Sequence, residues 1–148
     1  MGTLKEAARR AVDRHAEELI ALSERLHADP ETAWEEHRAA AAVPEPLDRA
    51  GFDVTSSYLG LETAFHARFG SGPTRVALCA EYDALPGLGH ACGHNLIAAS
   101  SIGAALGLAA VADDAGLTVE VYGTPAEEGG GGKIEMLERA RSPTRTSR

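Results

Sequence analysis

Twice between Arg75 and Arg139 an apolar, strand-like stretch runs into a glycine-studded string and then into a helical pattern. Residues 75–80 lead into residues 81–95, with Gly87, Gly89 and Gly93, and on to the apolar run 96–112. Residues 117–122 lead through Pro125 and Glu127-Glu128 into four glycines and a helical stretch over 131–139. Strands alternating with helices predict an α/β layer architecture. In open sheets of that kind ligand sites lie just past the carboxyl ends of strands, which is where both strings fall.

Upstream, apolar or small residues at Leu4, Ala8, Ala11, Val12, Leu19, Leu22 and Leu26 predict one long amphipathic helix. It ends near Asp29-Pro30, because a residue before proline is pushed out of helical geometry. Thr32-x-x-Glu35 reads as a capping box for a second helix that carries Trp34 into the core. Pro44 and Pro46 interrupt that helix and Gly51 closes it. Strands are predicted over 52–58 and 63–69, the second with alternating burial, and a more fully buried one over 75–80. Asn95 is the expected cap of the helix over 96–112.

A chain of 148 residues with 44% apolar content supports one core. A net charge of −8 argues against a nucleic-acid groove or a polybasic membrane face and for a small-molecule partner. No run is long and apolar enough for a membrane span and no leader pattern precedes Leu4, so a cytoplasmic location is expected. Cys79 and Cys92 are expected to be unbridged. His15, His37 and His66 are expected to be solvated, and His27 to pack under the first helix. All 22 acidic residues lie at or before Glu138, whereas residues 140–148 are basic and without apolar periodicity. The expected organisation is therefore a domain over 1–139 and a tail over 140–148.

In His90-Ala-Cys92-Gly-His94, imidazole and thiolate alternate around a bend that glycine permits. These are donors for borderline-soft dications such as zinc. Each also has a bland reading: His90 bonding a carbonyl, Cys92 as a small hydrophobe, His94 at a helix start. Glu127-Glu128 adds two adjacent carboxylates, which repel unless a cation or shared proton lies between them. One can coordinate while its neighbour acts as general base. The bland alternative is a solvated pair at a helix N-terminus.

Residues 81–95, EYDALPGLGHACGHN, and 123–133, GTPAEEGGGGK, together with His27-x-x-Pro30-Glu31, closely resemble the zinc-dependent amidohydrolases of the M-twenty metallopeptidase family. The resemblance runs from about Leu26 to Arg139 and is best to the branch with p-aminobenzoyl-glutamate hydrolase and β-alanyl-lysine dipeptidase. It implies a three-layer α/β/α catalytic domain, cut off before a lid domain. It further implies two divalent metal ions, zinc or manganese, with Cys92, His94 and Glu128 as ligands and Glu127 as the general acid/base. Asp83 becomes a residue that orients a ligand from behind, Glu81 stands where many relatives have a ligand histidine, and His90 is no ligand by the pattern. The implied reaction is hydrolysis of the amide of an N-acyl amino acid or unusual dipeptide, and complete relatives are expected to be homodimers.

Complete members carry two further histidine ligands downstream, and no histidine follows His94 here, so an inactive fragment is expected. Codons for Gly-Ala-Phe-Ala-Asp-Ala read one base out give Ala-Arg-Ser-Pro-Thr-Arg, the order found from Ala140, so a frameshift is one source for the tail. Three other readings compete. A phosphate loop at Lys133 lacks the Walker spacing. A Cys92 nucleophile leaves Glu127-Glu128 without a role. A non-catalytic interaction module would use exposed sheet edges.

Overall fold

The structure, a computed structural model, describes residues 2–141. The amino-terminal stripe forms two helices where the spacing predicts one, α1 (Leu4–Arg14) and α2 (Ala16–Ala28). At His15 the backbone leaves helical angles (φ −99°, ψ 4°) and its N–H turns to Val12 O in a tight three-residue bond. The stripe has no apolar residue there, so the helix kinks where burial holds it least. The His15 ring settles with Nδ1 3.0 Å from the Glu18 carboxylate.

The next helix, α3 (His37–Ala42), starts later than the expected capping box would place it. Thr32 bridges Ala84 instead, and Trp34 takes a φ of +68°. The buried Glu31 carboxylate does the capping, accepting the N–H groups of Arg38 at 3.1 Å and Ala39 at 2.8 Å. Negative charge at these first-turn donors is also favoured by the helix dipole. Trp34, expected in the core, is 36% exposed. A short helix, α4 (Glu45–Arg49), restarts after Pro44, and Gly51 follows it at φ +88°.

Four strands form one sheet in the order β1-β2-β4-β3: β1 (Asp53–Ser56), β2 (Phe65–Gly70), β3 (Thr74–Ala80) and β4 (Leu117–Gly123). The β1/β2 and β2/β4 pairs are antiparallel, whereas β3 runs parallel to β4 with Ala80 opposite Gly123. The parallel pair needs a crossover, which α5 (His94–Ala109) and α6 (Ala112–Ala115) supply. β3 is less buried than its apolar sequence predicts. It lies at the sheet edge, so Arg75, Ala77 and Cys79 are exposed while Ala80 joins the core.

Gly93, at φ +77°, turns the chain into α5 one residue ahead of His94. Asn95 does not cap; it lies inside the first turn, and its amide donates to Ser23 Oγ at 2.9 Å, tying α5 to α2. Farther along α5 a Cβ at Gly103 would stand 2.9 Å from Leu19 Cδ1, and one at Gly107 3.0 Å from Val12 Cγ2. Their lack of side chains lets α1 and α2 lie close against α5. Beneath, Leu22, Leu47, Phe65, Ile102, Val119 and Val121 form the core between these helices and the sheet.

On the other face α7 (Gly132–Arg141) packs Met136 against Leu61 and Ala64, beside Tyr122. Helices thus stand on both sides of the sheet, as the α/β/α expectation requires. His66, expected in solvent, is partly buried between Tyr58 and Tyr122, with ring centroids 5.0 and 4.8 Å away; His27 is exposed. The two cysteines are free. α7 reaches Arg141, and the rest of the expected tail, 142–148, lies outside the described residues. Among the described residues no helix is long and apolar enough to cross a membrane.

Candidate metal centre

The two chemical strings leave the sheet side by side because β3 and β4 are parallel neighbours that end in register. Thr124 N–H donates to Ala80 O at 2.9 Å, extending the pairing one step past the strands. From β3 the chain passes through Glu81, Tyr82 and Asp83 and later enters α5 at His94. From β4 it passes through Pro125 and Ala126 into a turn over residues 127–130 and then α7.

His94 stands at the centre and is buried. Its Nδ1 lies 2.8 Å from Asp83 O and 3.0 Å from Asp83 Oδ1. With two acceptors against it, Nδ1 is assigned the proton, which leaves the Nε2 lone pair as a donor to a cation. Around Nε2 stand Glu81 Oε2 at 3.6 Å, Glu127 Oε2 at 3.7 Å and Glu128 Oε1 at 3.6 Å. Ligand atoms of His94, Glu127 and Glu128 all lie within 4.8 Å of one another. Asp83, itself buried, also accepts the Glu128 N–H on Oδ2 at 3.0 Å, so one carboxylate grips both loops.

The charge balance of this cluster is lopsided. Glu81 is ion-paired with Lys133 at the start of α7. Glu127 and Glu128 have no Lys or Arg partner among the described residues. Carboxylates held this close together are stabilised by a divalent cation. The donor set of imidazole nitrogen and carboxylate oxygen, with a thiol at hand, is one that zinc or manganese accepts.

Of the sequence-predicted residues, His94, Glu127 and Glu128 converge and Asp83 sits behind His94. Cys92 is exposed and outside that 4.8 Å group, and the Glu128 carboxylate pushes its thiol above its usual range. His90 is buried away from the group, its Nδ1 without a hydrogen-bond partner, and burial pushes its pKa down. The sequence leaves the role of Glu81 open; the structure pairs it with Lys133. Glu31 enters the sequence reading only as the end of the His27-x-x-Pro30-Glu31 string and Glu36 not at all, yet both are buried acids. Their signal was the density of acids in a stretch that also carries Pro30 and Trp34.

Residues 77–146 match the model of Peptidase family M20/M25/M40. The Xaa-Arg dipeptidase of Mus musculus is 45% identical over 149 residues, covering 91% of this chain and 35% of that protein. A p-aminobenzoyl-glutamate hydrolase chain of Escherichia coli K12 is 34% identical over 146 residues, covering 86% of this chain and 30% of that one. Among solved structures, a dinuclear metal-binding peptidase of Bacillus subtilis superposes with a TM-score of 0.70 at 25% identity, over 87% of this chain and 40% of its own. The fold is that of the family's catalytic domain, and residues 77–146 carry the sequence of peptidase family M20/M25/M40. It spans about a third of the length of the curated relatives it matches.

Proposed function

We propose that this chain supplies the cysteine, histidine and glutamate half of a metal-dependent site that hydrolyses the amide of an N-acyl amino acid or an unusual dipeptide. The observation carrying this reading is the meeting of His94 Nε2 with the Glu127 and Glu128 carboxylates at the mouth of two neighbouring loops. Further support comes from relatives called dipeptidase and aminobenzoyl-glutamate hydrolase, and from the neighbour described as binding two metals.

In this reading Cys92, His94 and Glu128 hold a divalent cation, zinc or manganese, in what is a two-metal centre in complete proteins. When bound, the cation polarises the amide carbonyl and makes water more acidic. Glu127 has the most exposed of the three carboxylates around Nε2, at 38% of its side chain. It takes a proton from water and returns it to the leaving nitrogen. Asp83 fixes the His94 ring and the Glu128 backbone, so that neither has to reorganise as charge develops. A pair of free cysteines suits a reducing compartment such as the cytoplasm.

Within these 148 residues no histidine follows His94, so this stretch holds part of the donor set of a two-metal centre and acts as part of a catalytic domain. Alone it binds a cation and turns over no substrate. Metal analysis of the zinc-loaded, desalted chain tests this beside Cys92→Ala and Glu128→Ala. Retention by the parent and loss in each variant is the expected result. A parent that retains no zinc, or variants that retain as much, refutes the metal site, and full hydrolytic activity of the purified chain refutes the fragment reading.

A further inference from the structure

The segment between α2 and α3 holds both loops that carry His94 and the paired glutamates. Glu31 O accepts the Ala84 N–H at 2.7 Å, beside Asp83, and Thr32 bridges the same residue. Glu36, wholly buried, reaches the other loop: its Oε1 accepts the Ala126 N–H at 2.7 Å, ninety positions along the chain. Ala126 is the residue immediately before Glu127, and it takes a φ of +54°, a region a non-glycine residue occupies only when its surroundings hold it there. Its carbonyl in turn accepts the N–H groups of Gly130 at 3.1 Å and Gly132 at 3.3 Å, closing the turn that carries Glu127 and Glu128.

We infer that Glu36 is a positioning residue whose buried carboxyl, bonded to the Ala126 N–H, sets the turn that aims Glu127 and Glu128 at His94. The inference rests on the metal-site reading above. Its chemistry follows from the contact. A buried backbone donor in a strained residue needs an acceptor that cannot drift, and a side chain sealed on all sides provides one. Glu36 Oε2 has no hydrogen-bond partner, and burial pushes the carboxyl above its usual range. Glutamine has the same shape and the same acceptor, whereas leucine keeps the volume and removes the acceptor.

The experiment compares parent, Glu36→Gln, Glu36→Leu and Leu47→Ala, the last a truncation in the core beneath α4. Cobalt(II) affinity is measured by chelator competition below every variant's melting transition, and amide hydrogen exchange is followed over residues 126–132. Glu36→Leu is expected to weaken cobalt binding about 10–100-fold, the usual range for groups that hold ligands in place. It should also release the protection of residues 126–132. Glu36→Gln and Leu47→Ala are expected to bind as the parent does. Cobalt binding by Glu36→Leu equal to the parent overturns the inference, as does an equal loss in Leu47→Ala, which would mark mere destabilisation. Should the parent itself bind no cobalt, the metal reading fails separately, and exchange decides this one: unprotected 126–132 amides in Glu36→Leu alone support it, and unchanged protection overturns it.

Discussion

Asp83 offers the sharpest single perturbation of the site, because one buried carboxylate serves two loops. Its Oδ1 faces His94 Nδ1 at 3.0 Å and its Oδ2 accepts the Glu128 N–H at 3.0 Å. Hydrogen bonds to a charged group contribute about 1.5–3 kcal/mol each. Asp83→Ala removes both, but His94 Nδ1 keeps a second acceptor, Asp83 O at 2.8 Å, which belongs to the backbone and survives the change. The uncompensated loss is then mainly the Glu128 contact, offset in part by relief of repulsion with the neighbouring carboxylates. A destabilisation of about 2–3 kcal/mol follows for the metal-free chain. Asp83→Asn is instructive because asparagine has one acceptor end where two donors need satisfying. It must turn its amide N–H toward either His94 Nδ1 or the Glu128 N–H, so it should not rescue cation binding. Urea unfolding in chelator gives the stability change. Competition titration gives the affinity, expected to fall about 10–100-fold in both variants. Parent-like cation affinity in Asp83→Asn would show that Asp83 does not organise the ligands, and the argument from its two contacts would fail.

Two further perturbations probe the scaffold. Burial pushes the His66 pKa below its unfolded value, against the opposing pull of Glu120. The unfolded chain therefore takes up the proton first, and stability is undiminished above about pH 6.5 and declines as pH falls from there through the folded value. His66→Phe keeps the stacking on Tyr58 and Tyr122 and should flatten this decline in urea titrations between neutral and mildly acid pH, with His90 accounting for a remainder; an unchanged slope would refute the assignment. At the end of β4, a Cβ on Gly123 would stand 2.1 Å from the ring of the fully buried Phe65. Gly123→Ala should cost about 1–3 kcal/mol by overpacking. Combined with Phe65→Leu the total loss should be smaller than the two single losses together, and strict additivity would contradict the contact.

Periodicity and punctuation carried most of the element order, and the two motif strings carried the site. The parallel β3/β4 pair, which brings both strings together, follows from a strand–helix–strand crossover that alternation makes visible. Exposure was harder to read. The apolar run of β3 predicts burial on both faces, yet at a sheet edge among the described residues Ala77 and Cys79 remain open, and nothing in a strand's own sequence says what lies beside it. Long-range partners override local signals in the same way. Thr32 has a capping pattern but spends its backbone on Ala84, and Glu31 takes the helix N-terminus because the turn at Trp34 brings its carboxylate there. Asn95 likewise has a better partner in Ser23 than in its own helix. Glu36 was illegible for a different reason: a buried acid and a solvated one are spelled identically, and only the fold brings Ala126 within reach of one of them.

Zinc K-edge X-ray absorption of the loaded chain tests the central claim most directly, since it reports the identity of the atoms around the ion. A site built from Cys92, His94 and Glu128 predicts one sulfur at about 2.3 Å with nitrogen and oxygen at about 2.0–2.2 Å, and loss of the sulfur shell in Cys92→Ala. A shell of light atoms alone, identical in parent and Cys92→Ala, would contradict it.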